Sequence, residues 1–513
     1  MKRALTFGLR MALLLASAAT NLMVGDPRGF AVKLTERIRL ADGPVRLLPT
    51  APLRAWGQGQ RSAARILIGT GHLTHGVREI VEMGSAVSTG DVHLAKRTME
   101  RVVQLEAPIP SSPKIRKNSG AEEHRILHFL TNSEPFTNSG YTVRSAHVLA
   151  CQQQYGIEVL GVTRLGYPVL VGKIPSSAQQ TVSGVSYRRL LPPLYPASIS
   201  RRHDLSVKML VAVARDFGAT ILHTTTDYTN AVVVADAAFQ LGIPWVYEVR
   251  GELESTWLSQ IPPELQEEAA ASEFYRAARR METKCMQAAG AVVALSEVSR
   301  RQMRERGVPE EKIVVIPNAV DDDHIGREYD QTAVRRELGL PVDQLLVGTV
   351  TAVVDYEGLD TLFRSLEFLP PDYSALVVGD GTARPALEAY AEELGFRDRI
   401  IFAGRRPATD IWRWYAALDV FVVPRKDTVV TRKVTPIKPL IAMALNIPVV
   451  ASDLPALREV TGERALYVPA EDPQELARGI TEATGSDQSG SAWAAERTWR
   501  ANGRRYKEIY EGL

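Results

Sequence analysis

The sequence predicts an α/β protein in which two doubly wound parallel sheets follow one another, preceded by a basic, mainly helical N-terminal extension. Three observations carry this. After residue 124, short apolar runs of strand length alternate with helix-length segments. The alternation restarts at Leu345. Charge also changes sign along the chain: residues 1–120 hold 18 Lys and Arg against 8 Asp and Glu, and the remaining residues hold 43 against 51.

Composition sets the outer bounds. The 513 residues are 45% hydrophobic and 23% charged, enough to bury sizeable cores, which excludes global disorder, a collagen-like repeat and a polytopic membrane protein. Two cysteines, Cys151 and Cys285, support neither a disulfide framework nor a zinc knuckle. The basic residues 1–120 suit an anionic surface. Phospholipid headgroups fit better than nucleic acid, because the basic residues lack interleaved aromatics or a nucleic-acid signature.

The extension, residues 1–120, opens with Met1-Lys2-Arg3 and an apolar stretch to Val24, broken by Arg10 and Asn21. Three readings stay open for it: an interfacial or packed helix with snorkelling cations, a secretory signal ending at Ala16-Ser17-Ala18, and a single membrane span burdened by Arg10. Apolar spacing continues in Phe30-Ala31-Val32-Leu34 and Val77-Ile80-Val81, with prolines limiting it to short helices, and the Pro-rich run from Ala107 to Gly120 reads as a linker.

Residues 121–335 read as the first sheet domain. Strands are expected at Arg125–Leu130, Ile157–Val162, Thr220–Leu222, Trp245–Tyr247, Ala291–Leu295 and Ile313–Ile316, with a helical pattern from Val143 to Gln154. Residues 336–485 read as the second, with strands at Leu345–Val350, Ala375–Val378, Arg399–Ala403, Val420–Val423 and Pro448–Ala451. Gly485 to Ser491 reads as a flexible joint, and residues 486–513 end in a helix rich in Trp493, Trp499 and Tyr506. Two such sheets predict a cleft between them, with ligands beyond the strands' carboxyl ends.

Short motifs supply the chemistry. In Thr137-Asn138-Ser139-Gly140-Tyr141, Gly140 opens a helix after the first strand, either to admit an anionic ligand or as an ordinary turn. The three spaced glycines of a dinucleotide fingerprint are absent, which argues against a nicotinamide dehydrogenase. Gly379 and Gly381 end a strand of the second half, as a ligand contact or a structural turn. Asp321-Asp322-Asp323 reads as a solvated connection rather than a metal site. The densest stretch pairs Arg425, at a strand end, with Thr435-Pro436-Ile437-Lys438. Thr435 is expected as N-cap and Pro436 as the first helical residue, so that backbone N–H groups, Lys438 and Arg425 converge on a diphosphate.

Nine motifs in order then make the chain from about residue 124 resemble the family-4 glycosyltransferases of the GT-B fold. They are Ser139-Gly140-Tyr141 with Arg144, Val162 to Pro168, Val246 to Gly251, Ile316 to Asp321, Tyr356 to Asp360, Val378 to Gly381, Asp419 to Arg425, Thr435 to Leu440 and Pro448 to Asp453. The resemblance implies two facing Rossmann-like domains, acceptor on the first and nucleotide-sugar on the second, with the last helix crossing back to the first. It implies hexosyl transfer with retention, from a UDP- or GDP-sugar as donor substrate, without a cofactor or metal. Gly140, Gly379, Gly381, Arg425, Thr435 and Lys438 would bind the donor. Arg250, Glu248 and Lys438 would serve the reacting centre, and Glu248 and Glu252 could hold acceptor or donor hydroxyls or act as ion-pairing residues of the cleft. The acceptor would be a lipid-linked or cell-surface polysaccharide precursor, and no nucleic acid is involved.

Two departures stand out. Relatives carry a glutamate where this chain has Ile441, and Lys433 stands at the paired position. Relatives also place Arg and Lys in the loop that here reads Thr349 to Gly358 without either. A non-catalytic GT-B protein, acting as a binding or scaffold partner, is therefore the alternative. Nucleotide sugars are cytosolic, so the expected location is the cytoplasm, with residues 1–120 in peripheral contact with the anionic inner face of the cell membrane.

Overall fold

The computed structural model describes residues 2–25, 63–84, 87–114, 124–486 and 490–513. It divides into two units. The first comprises Met1–Val293, Met303–Val314 and Lys507–Leu513, and the second Ala294–Gln302 and Val315–Tyr506. The boundary expected at 335 therefore falls inside the second unit. The reason is Arg335, whose buried guanidinium donates to Ala417 O at 2.8 Å, Gln344 O at 3.0 Å and the Asp419 carboxylate at 2.6 Å. Those bonds fasten the Gln331–Leu338 helix to the second sheet.

The first unit is built on an eight-stranded sheet in the order β3-β4-β2-β1-β5-β6-β7-β8. Its strands are β1 Arg125–Leu130, β2 Glu158–Thr163, β3 Gln179–Val182, β4 Val185–Arg189, β5 Ile221–Thr225, β6 Trp245–Val249, β7 Ala291–Ala294 and β8 Ile313–Val315. At its centre β1 pairs in parallel with β2 and β5, Leu127 lying opposite both Leu160 and Leu222. Strands covered on both faces need continuous apolar runs, and these runs made the parallel strands legible. The edge hairpin β3–β4 was not anticipated. It is antiparallel and turns through Ser183 at φ 48° and Gly184 at φ 81°, a tight left-handed turn whose flanking residues are largely polar.

The N-terminal helix Lys2–Gly25 is a packed helix. Met11 and Leu14 are fully buried against Val169, with Phe7, Leu15, Leu191 and Tyr195 around them. Polar bonds fix the register: the Tyr195 backbone N–H donates to Ser17 Oγ at 2.9 Å, and Asn21 Nδ2 donates to Tyr195 O at 2.7 Å. Leu9, Leu13 and Met23 remain exposed. Among the described residues, no helix is long and apolar enough to cross a membrane. Helices Ala63–Gly69, Leu73–Glu82 and Thr89–Glu106 follow. Glu273 accepts from the Thr74 N–H and hydroxyl at 2.7 and 2.6 Å, and Glu100 accepts from the Ile199 N–H at 2.7 Å. The Pro-rich segment is also docked: Ser112 N donates to Ala288 O, and Trp245 N donates to Ser112 Oγ. The apolar stretch at 30–34 and the rest of the expected linker, 115–120, lie outside the described residues.

The second unit holds a six-stranded parallel sheet in the order β11-β10-β9-β12-β13-β14. Its strands are β9 Leu345–Val350, β10 Tyr373–Val378, β11 Ile400–Gly404, β12 Val420–Val423, β13 Val449–Ser452 and β14 Leu466–Val468. Successive residues alternate between its two cores. Leu346 and Leu376 enter one, and Val347 and Val377 the other. The expected terminal helix is two pieces, Ser491–Ala495 and Trp499–Glu511. A bridge between Val320 and Thr498 separates them.

Candidate functional site

Each unit gathers charged side chains near the carboxyl ends of its parallel strands. In the first unit the centre is Glu248, one residue before the end of β6 and 0% exposed. Its Oε1 accepts from Arg144 Nε at 2.7 Å and Arg250 Nε at 2.8 Å, while Oε2 faces His223 Nε2 at 3.3 Å. Burial pushes this carboxyl up, but Arg250, Arg144 and His223 outweigh it and hold it well below its ordinary value. Glu248 is thus a buried carboxylate neutralised by the protein, not a group that reaches a hydroxyl, which corrects the expectation for it.

The network extends inward. His223 Nδ1 lies 2.7 Å from Tyr510 Oη, which accepts from Gln152 Nε2 at 2.9 Å, and Gln152 Oε1 lies 2.8 Å from His128 Nε2. Burial lowers both histidines, favouring their neutral forms, and their rings stack at 4.5 Å. One proton arrangement satisfies the chain: His128 Nε2–H to Gln152, Tyr510 O–H to His223 Nδ1, and His223 Nε2–H toward Glu248.

On the other side, Arg250 links the network to the Gly140–Gln153 helix. Its Nη1 donates to Tyr141 O at 2.9 Å and Ser145 Oγ at 2.7 Å, and its backbone N–H donates to Thr226 Oγ1 at 2.6 Å. Tyr141 and Ser145 belong to the Gly140–Gln153 helix, whose N-cap Ser139 forms a reciprocal capping box with Thr142. Gly140 is exposed, and a Cβ there would meet nothing within 4 Å. The protein itself therefore gives no reason for a glycine at 140. Glu252 accepts from Ser255 Oγ at 2.6 Å and lies 3.8 Å from Arg306.

In the second unit the centre is Glu357, which the motif reading quoted without assigning a role. Arg425 Nη2 donates to its Oε1 at 2.8 Å and Lys438 Nζ to the same oxygen at 3.0 Å. Lys438 also bonds Thr351 Oγ1, and Arg425 Nη1 donates to Val434 O at 3.1 Å. Burial raises the Glu357 carboxyl, yet Lys438 and Arg425 hold it below its ordinary value. Burial lowers the Lys438 ammonium against the pull of Glu357. Two cations on one carboxylate leave a net positive centre, suited to a phosphate.

The local structure around Lys438 departs from expectation. The helix is Lys438–Ala444, its first turn carries Pro439, and Ile437 occupies the N-cap without a side-chain bond. Thr435 and Pro436 precede it in irregular backbone, so Thr435 is no cap and Lys438 is the first helical residue. Seven residues make a weak dipole source, and the charge here comes from side chains. Ile441 packs against the unit's core instead of projecting free of it.

Gly379 and Gly381 serve the fold. A Cβ at Gly379, where φ is 137°, would overlap the Thr351 carbonyl oxygen, and one at Gly381 would overlap that of Val353. Thr351 N donates to Val378 O at 2.8 Å and Val353 N to Asp380 O at 3.2 Å, so the loops after β9 and β10 are laced together. Gly358 likewise lets Pro424 O approach. What these glycines admit is neighbouring backbone, which holds Thr351 and Glu357 where Lys438 and Arg425 reach them. Asp321, Asp323 and His324 come together at a turn, and Asp323 contacts both Arg327 at 3.3 Å and His324 at 3.5 Å.

Comparison with known proteins agrees with this architecture. A family model described as "Glycosyl transferase 4-like domain" matches residues 139–319, and one described as "Glycosyl transferases group 1" matches 343–485. Together they span more than half of the chain. A lipopolysaccharide core biosynthesis mannosyltransferase of Rhizobium meliloti is 34% identical over 170 residues, 31% of this chain and 46% of that protein. A D-inositol 3-phosphate glycosyltransferase of Xylanimonas cellulosilytica is 32% identical over 196 residues, 36% of this chain and 45% of that protein. The chain thus spans somewhat under half the length of these two relatives. Among solved structures, Anabaena HepE in complex with UDP aligns with a TM-score of 0.55 at 20% identity, over 76% of this chain and 100% of that one. A sucrose-phosphate synthase of Thermosynechococcus elongatus aligns at 0.57 and 19%, over 76% and 99%. Two parallel-sheet units, each matched by its own family model in the expected order, place the chain in the family-4 glycosyltransferases of the GT-B fold.

Proposed function

We propose that the protein transfers a hexosyl group, with retention, from a nucleoside-diphosphate sugar to a hydroxyl of a lipid-linked or cell-surface polysaccharide precursor. The observation that carries this is the net positive centre of the second unit, where Lys438 and Arg425 share Glu357 beside Thr351. When the glycosidic bond breaks, charge develops on the departing diphosphate, and fixed cations in a partly dry setting stabilise it without reorganising. In the first unit, Arg250 and the N-terminus of the Gly140–Gln153 helix are the groups proposed to meet the acceptor. Glu248 acts through Arg250 by fixing its orientation. UDP and GDP are the candidate bases; one solved relative holds UDP, and the Rhizobium relative is named for mannosyl transfer in lipopolysaccharide core synthesis.

The same reading puts the protein in the cytoplasm, where nucleotide sugars are made, and at the inner membrane face. Leu9, Leu13 and Met23 form an exposed apolar row on the Lys2–Gly25 helix beside Arg10, within the basic residues 1–120. Ile441 supports a second reading, a non-catalytic binding protein, because isoleucine offers a ribose no hydrogen bond.

Thermal unfolding with UDP, GDP, ADP and TDP separates the two. A nucleotide at roughly 100 times its dissociation constant stabilises by about 2.7 kcal/mol, a visible shift. A shift with one base names the donor class. No shift with any of the four refutes the transferase reading and leaves the binding protein.

A further inference from the structure

A second cluster of cations lies in the first unit, meeting the groups described above only where Arg306 lies 3.8 Å from Glu252. The Glu273–Ala288 helix presents Arg276, Arg280 and Lys284 at four-residue intervals, with Arg279 beside them, and all four are exposed. Among the described residues none of the four makes an ion pair. The two acids of that helix are spent elsewhere: Glu273 accepts from Thr74, and Glu282 is buried against Tyr247 and Tyr228. Like charges one turn apart repel, so a helix face that carries them without intervening acids is stabilised when an anion sits on it.

The face is also concave. With Arg306 it lines a shallow hollow of about 540 Å³ in which, among the described residues, Glu305 is the single lining acid. Its floor is fixed. Arg306 Nε donates to Thr283 Oγ1 at 3.0 Å and Nη2 to Arg279 O at 2.7 Å, while Nη1 lies 3.4 Å from the fully buried Glu254. Gln287 Nε2 donates to Gly307 O at 2.9 Å and ties the far wall. A guanidinium floor held by Thr283 and Arg279 O under four exposed cations matches the several oxygens of a phosphate group better than a single carboxylate.

We propose that this hollow binds a phosphate ester, a mono- or diphosphate carried by a ligand other than the sugar donor. The inference stands on the first unit alone and does not need the transferase reading. Its test is titration calorimetry of the full chain with inorganic pyrophosphate, in Lys438→Ala protein so that the second unit's centre is disabled. The expected result is saturable binding that weakens about tenfold or more when Arg280→Ala and Lys284→Ala are added, and that Arg280→Lys largely retains. In otherwise unaltered protein, the same double change should remove one pyrophosphate equivalent, which covers the case where Lys438→Ala does not fold. Binding to phosphatidylcholine vesicles containing phosphatidylglycerol should survive the double change. Absence of saturable pyrophosphate binding, equal affinity with and without Arg280 and Lys284, or loss of vesicle binding with pyrophosphate affinity intact would each overturn the proposal. The nucleotide-induced melting shift reports on the second unit, so either idea can fail without the other.

Discussion

Replacing Glu248 by glutamine is the most informative single perturbation of the first unit. The side chain keeps its shape and loses its charge, while Arg144 at 5% and Arg250 at 3% side-chain exposure stay buried around it. Removing one partner of a buried ion pair costs about 3–5 kcal/mol, because the surviving charge is left uncompensated, and here two guanidinium groups survive. With urea slopes of about 1–3 kcal/mol per molar, the unfolding midpoint should fall by more than about 1 M. Hydrogen exchange during urea titration reads the units separately, and peptides of the second unit act as the internal control. The pH dependence has a definite sign. The folded pKa of Glu248 is depressed from an ordinary 4.5, so its stabilisation is fully present above that value and is lost as pH falls through the folded pKa. Glu248→Gln protein should lack that component of acid sensitivity. An unchanged urea midpoint, or an acid profile identical to that of the parent protein, would refute the account of Glu248 as the organising charge.

Three further outcomes are expected. Lys438→Ala should abolish the nucleotide-induced melting shift and lower turnover by about 10²–10³-fold, measured as sugar transfer under saturating donor. Gly379→Ala should destabilise the second unit by about 1–3 kcal/mol through overlap with Thr351 and a left-handed backbone, whereas Gly140→Ala should leave chemical stability within about 0.5 kcal/mol. A fall in activity for Gly140→Ala at unchanged stability would place a ligand against that glycine. Leu9→Asp with Leu13→Asp should release the protein from anionic vesicles without moving its melting temperature, since both side chains are exposed.

The parallel strands were legible because each is a short apolar run bounded by turn residues, as in Arg125–Leu130 and Val420–Val423. Of the four edge strands, β8 and β11 still read as apolar runs, whereas β3 and β14 gave no such signal. Gln179–Val182 and Leu466–Val468 are short and only partly covered, so their sequences carry little of the core's demand. Among site residues, Lys438, Arg425 and Arg250 stood out as cations in motifs. Glu357 could have been found by asking which carboxylate balances Arg425 and Lys438, since their own stretch supplies none for them. Gln152, His223 and Tyr510 had no local signal, because what unites them is a hydrogen-bond chain between residues 358 and 287 positions apart in sequence. Of the two readings open for the glycines after β10, the close approach of the chain's own backbone gives the structural turn a physical reason.

Tyr510 has a consequence for biosynthesis. The sheet, the Gly140–Gln153 helix and the charged network of the first unit are all translated long before residue 510 leaves the ribosome. Until then, Gln152 Nε2 and His223 Nδ1 face a gap where the phenol belongs. A nascent chain paused within the second unit therefore carries a first unit that is assembled but open at its centre, and a candidate for chaperone engagement. Emergence of Tyr510, more than completion of either sheet, is the event that closes the interior around Glu248.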